Sequence, residues 1–157
     1  MPIPPQVEQV FEGALVSILS YPTRGGWISS HPMLPLYDRE KGRLYFTSSI
    51  LFSKKLEHIK KNPKVSVLFS GREFIKAPQY HVVHVKGDAK IYDEDVHSGW
   101  MWLLEIWRKK EPYIDAFLKQ RIALPLFWER AVIEVEPREI LVWENGDMNK
   151  EPKRVRT

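Results

Sequence analysis

Hydrophobic and polar residues alternate most regularly over Tyr80–Tyr92. There Val83, Val85, Gly87, Ala89 and Ile91 fall on one side, and His84, Lys86, Asp88 and Lys90 on the other. A period of two predicts a strand with one face against a core, and Gly87 within it marks a bulge or bend. Lys64–Ser70 alternates in the same way through Val65, Val67 and Phe69. Ala14–Ser20 is rich in β-branched residues and reads as a buried strand, followed by a dense cluster of turn formers at Tyr21–Gly26. Trp27–Tyr37 resumes as a strand broken by Pro32 and Pro35. Proline offers no ladder N–H, so this segment is expected at a sheet edge or bulge. A polar turn at Asp38–Gly42 leads into a strand at Arg43–Thr47. Phe127–Glu136 and Ile140–Trp143 read as a final hairpin around Pro137-Arg138.

Helical spacing appears in four places. Val7, Val10 and Phe11 suit a short helix before Gly13; Phe52, Leu56 and Ile59 suit one over Ser53–Lys61, stopped by Asn62-Pro63. Val96, Trp100, Leu103, Leu104 and Trp107 form an apolar stripe, and Ile114, Phe117 and Leu118 a shorter one. Two tryptophans at helical spacing fit a core or a dimer interface better than a stacking platform. The pattern predicts a mainly β fold. One domain over 1–157 would form a small closed β barrel with attached helices, closure removing exposed strand edges.

Composition narrows the function. The chain has 157 residues, 43% of them hydrophobic and six of them tryptophan, which fits a packed core. It has no cysteine, so disulfides, thiolate chemistry and sulfur-ligated zinc are excluded. No run approaches a membrane span and no leader-like segment is recognisable, so no membrane partner and a cytoplasmic location are expected. The net charge is +4, of which Lys150, Glu151, Lys153, Arg154 and Arg156 alone give +3; they lie in residues 144–157, expected as a flexible basic tail. The body is then nearly neutral, which disfavours a nucleic-acid partner.

Familiar catalytic and nucleotide motifs are missing: there is no G-x-G-x-x-G, no P-loop and no G-x-S-x-G. His81 and His84 are three apart on a strand and point to opposite faces, so no metal site is expected. One stretch stands out. Leu44–Pro63 takes a strand ending in Thr47-Ser48-Ser49 into a helix opened by Ser53-Lys54-Lys55. Cations at a helix N-terminus oppose its dipole. They make sense when an anion lies between them and the free backbone N–H groups, as at phosphate sites.

These residues resemble the FMN-binding split-barrel family typified by pyridoxamine 5′-phosphate oxidase. The resemblance is carried by ISSHPMLPLYDREKG, RLYFTSSILFSKKLEHIKKNPKVSVLF and HVKGDAKIY, with a fainter echo at Ala131–Trp143. It implies an FMN-binding split barrel and a homodimer with the cofactor at the subunit interface. It also implies an oxidoreductase acting on a small-molecule substrate. By position, Thr47, Ser53, Lys54 and Lys55 would hold the phosphate and ribityl chain, with Phe46 and Ser48 beside them. Ser30, His31, Pro32, Met33 and Leu34 would run along the isoalloxazine, and Trp143 would be a C-terminal aromatic near it. Where the oxidase has an arginine on the second strand, this chain has Ser30 or His31, and the basic C-terminal motif for pyridoxal phosphate is missing. Relatives on this fold use the deazaflavin F420 or handle haem, so an F420-dependent reductase and a non-enzymatic flavin or haem binder stay open.

Overall fold

The computed structural model describes residues 2–156. Its core is an eight-stranded antiparallel sheet with β1 (Ser17–Pro22), β2 (Ile28–Met33), β3 (Leu36–Asp38), β4 (Arg43–Ser49), β5 (Lys64–Phe69), β6 (Val82–Tyr92), β7 (Arg130–Trp143) and β8 (Lys153–Arg156). The strand order is β2-β1-β5-β6-β7-β4-β3, with β8 paired to β7. The sheet curls strongly, but β2 and β3 lie at opposite ends of the path, so the barrel is split rather than closed by a full ring of hydrogen bonds. Pro32 sits on the edge strand β2, as its missing donor requires, and Pro35 separates β2 from β3.

Helix α1 (Pro5–Gly13) and helix α2 (Lys54–Lys61) cover one side; α3 (Leu104–Lys110) and α4 (Ile114–Leu118) cover another. Two cores result. Val7, Phe11, Leu19, Phe46, Val67 and Ile133 belong to the first, inside the curl. Trp100, Trp107, Trp128, Tyr45, Leu36 and Ile114 form the second, so the tryptophan stripe is core. The stripe is not one helix: Met101–Leu103 is a 3₁₀ turn leading into α3, and residues before it are turns. Strands β4 and β7 are buried on both faces because they lie between the two cores. Phe46 faces one core and its neighbour Tyr45 the other, as strand alternation demands.

Two expectations for the C-terminal region are corrected. Residues 130–143 form one long strand, not a hairpin; β7 absorbs Pro137-Arg138 as a bulge. Lys86 pairs Glu139 and Gly87 pairs Pro137, which leaves Arg138 as the extra residue. A Cβ on Gly87 would lie 2.5 Å from the Glu136 carbonyl oxygen, so the bulge needs a glycine opposite it. The tail is likewise not loose over the described residues. Lys153–Arg156 adds β8 to β7, and Glu139 meets Arg156 at 2.7 Å and Lys86 at 3.4 Å. Lys153 pairs with Glu144, and Arg154 and Arg156 share the carboxylate of Glu139. No helix among the described residues is long and apolar enough to cross a membrane.

Candidate functional site

Two hollows meet at Lys55. The first, a cavity of about 250 Å³, is walled by Pro32 and Met33 from the end of β2, by Leu34 just after it, by Thr47–Ser49 from the end of β4, and by Trp107 and Phe127. The second, an open groove of about 800 Å³, is bordered by His31, Ser53, Lys54, His58 and Arg24. Lys55 and Phe52 line both. Together they reach the size of ordinary cofactor sites.

The end of β4 is the polar floor of the cavity. Thr47, Ser48 and Ser49 are all buried because β7 pairs along their whole length, Ser49 opposite Arg130. Ser49 Oγ donates to the Leu126 carbonyl at 3.2 Å. Ser48 Oγ is buried and has no hydrogen-bond partner. Strand alternation puts this hydroxyl on the Phe46 face of β4, opposite Ala131 and away from Thr47 and Ser49, so it belongs to the core side of the strand rather than to the cavity.

Arg130 is the group that sequence reasoning missed. Its Nε donates to Thr47 Oγ1 at 2.9 Å, one Nη to the Thr47 carbonyl at 3.2 Å and the other to the Phe127 carbonyl at 3.2 Å. Its guanidinium also lies 5.2 Å from the Phe127 ring centre and 5.7 Å from that of Trp128. No carboxylate among the described residues pairs with it, and burial pushes it down to about 10. Lys55 is lowered by its own burial and then by Arg130. His31 is lowered by burial and then by Lys55, with its Nε2 at 2.7 Å from the Tyr21 hydroxyl. Each of these shifts runs against the charged form, so the three groups together favour an incoming anion.

The expected site residues divide accordingly. Pro32, Met33, Leu34, Thr47, Ser48 and Lys55 share the cavity. His31, Ser53 and Lys54 lie on the groove; Ser53 makes no capping bond to α2 with its side chain. Ser30 borders neither hollow and instead meets Ser20 Oγ at 2.8 Å. Phe46 is fully buried core. Trp143 ends the strand that Arg130 begins, so within one chain it stands at the far end of β7 from the cavity. His81 is buried, its Nδ1 accepting from the Asn145 N–H at 3.1 Å, and no cluster of three or more metal-ligating side chains occurs among the described residues. A further hollow of about 510 Å³ on the outer side of β1, β5 and β6 has only Lys64, Lys86, Asp88, Arg138 and His84 as ionisable lining besides Tyr21. There Lys64 pairs with Asp88, Arg138 with Asp88 and Glu136, and Lys86 with Glu139, so each lysine and arginine of that hollow has a carboxylate partner.

The fold has clear precedents among solved structures. General stress protein 26 from Bacillus anthracis superposes with a TM-score of 0.60 at 18% identity, over 97% of this chain and 96% of that one. A Clostridium acetobutylicum protein related to general stress protein 26, of the pyridoxinephosphate oxidase family, gives 0.64 at 12% identity, over 96% and 91%. This chain has the pyridoxamine 5′-phosphate oxidase-like split-barrel fold. An F420 reductase shares that split barrel, with a TM-score of 0.61 at 19% identity over 88% of this chain and 98% of that one. No family model matches the sequence. No curated protein matches it either.

Proposed function

We propose that the chain is a flavin-dependent oxidoreductase that holds FMN across the two hollows. The observation that carries this is the cavity itself. Apolar walls from Pro32, Met33, Trp107 and Phe127 stand around two cations, Lys55 and Arg130, that have no carboxylate partner among the described residues. A flat, polar-edged ring beside a phosphate ester answers both features. The ring belongs in the cavity along Pro32–Leu34, and the phosphate in the groove on Ser53, Lys54 and Lys55. The flavin would supply the electron chemistry, while the protein supplies position, electrostatics and exclusion of water.

A homodimer completes the site in this reading. Leu51 and Phe52 are 54% and 58% exposed beside the groove, and Ile122, Leu124 and Leu126 are exposed in the segment leading to Phe127. An apolar rim of this kind suits burial against a second copy. A partner would also be the source of any Trp143 near the ring. The deazaflavin F420 is the second reading, favoured by one feature: the groove continues past Lys54 to Arg24 with no acidic residue on its walls, room for a longer anionic tail. Haem is less well served, because the His31 Nε2 is engaged by Tyr21.

The test is the visible spectrum of freshly purified protein, followed by titration with FMN and with F420. Flavin absorbance, or saturable uptake of FMN with quenching of its fluorescence, is expected. A colourless protein that takes up neither cofactor overturns the proposal.

A further inference from the structure

Arg130 is not needed to hold a phosphate placed on α2, and its setting points to a different task. It sits on the ring side of Lys55, anchored by Thr47 and Phe127, and its remaining N–H groups have no acceptor among the described residues. Aromatic rings at Phe127, Trp128 and Trp107 lie around it and leave it only partly exposed. A positive charge in such a place acts at short range and low screening. The cost of burying it is offset only when negative charge comes to it.

We propose that Arg130 makes the reduced anionic flavin the more tightly held form, and so raises the reduction potential of the bound cofactor above that of free FMN. This rests on the flavin reading above. The charge balance is simple. Two electrons from a chemical reductant such as dithionite, with one proton from water, convert the neutral oxidised ring into a ring carrying one negative charge. Arg130 meets that charge without moving, since Thr47 and Phe127 already hold it in place before reduction. The oxidised ring, being neutral, gains less from it. The difference in affinity between the two forms is the shift in potential.

The experiment measures the midpoint potential of FMN bound to the wild-type protein, to Arg130→Met and to Arg130→Lys, against free FMN. Affinities for FMN and for riboflavin are measured in parallel. The wild-type potential is expected above that of free FMN. Arg130→Met should lower the preference for reduced over oxidised flavin at least tenfold, about 30 mV for a two-electron couple. Arg130→Lys, which keeps the charge, should retain most of the shift. A wild-type potential at or below that of free FMN overturns the inference, and this measurement needs no variant to fold. So do Met and Lys variants whose potentials fall alike, or a Met variant that loses affinity for FMN but not riboflavin at unchanged potential. The last result would make Arg130 a phosphate ligand. Failure of the wild type to bind FMN at all overturns the flavin reading as well.

Discussion

Lys54 and Lys55 are neighbours in sequence but not in environment, and a pair of single substitutions exploits the difference. Lys55 is half-buried where the cavity and groove join, and its charge is already disfavoured by burial and by Arg130. A phosphate there would receive a charge-assisted hydrogen bond worth about 1.5–3 kcal/mol. Lys55→Ala should therefore weaken FMN binding roughly 10- to 150-fold at 1.4 kcal/mol per decade. Lys54 is exposed to solvent, so its attraction is screened, and Lys54→Ala should cost at most about fivefold. The assay is calorimetric or fluorescence titration with FMN and with riboflavin, at low and at high salt. Riboflavin lacks the phosphate, so its affinity should hardly change in either variant. Only the Lys54 contribution should fade markedly with added salt. Equal losses for the two lysines, or a riboflavin loss as large as the FMN loss, would refute the assignment of Lys55 to the phosphate.

Further outcomes follow from the same structure. FMN affinity should fall as pH rises toward the ordinary lysine value, because burial and Arg130 make Lys55 lose its proton below that value; a flat pH profile from neutrality up to the ordinary lysine value would contradict a cationic Lys55 on the phosphate. Lys110 buries its ammonium against the carbonyls of Phe11, Ala14 and Pro35 at 2.6–2.7 Å, and Lys110→Met, which leaves buried carbonyls unpaired, should cost about 2–4 kcal/mol in urea denaturation. Burial lowers this lysine to about 7, so between pH 7 and the ordinary lysine value the unfolded chain binds more protons than the folded one, and its contribution to stability rises with pH; Lys110→Met should lack that slope. Gly87→Ala should destabilise by about 1–3 kcal/mol in thermal melts, because its methyl group would meet the Glu136 carbonyl at 2.5 Å.

Much of this protein is legible in one dimension. Strands β5 and β6 follow from alternation, since a half-buried strand must present apolar residues every second position. Helix α2 follows from Leu56, Ile59 and its Asn62-Pro63 stop, and Gly87 announces its bulge. The hydroxyl run Thr47–Ser49 and the lysines after Ser53 mark the site because local rules about helix ends and charge already make them odd. What stayed hidden depends on pairing between distant segments. Pro137-Arg138 looks like a turn until β6 is laid beside it, when a one-residue bulge proves sufficient. The basic tail looks solvated until Glu139 and the edge of β7 are available to it. Arg130 carries no signal in its own neighbourhood. Its importance comes from register, which sets it opposite Ser49 and sinks it under three aromatic rings, 83 residues from the Thr47 that orients it. Local periodicity reports which face of an element is apolar. Only the folded sheet decides which buried charge is left without a counter-charge, and that imbalance is what gives the cavity its chemistry.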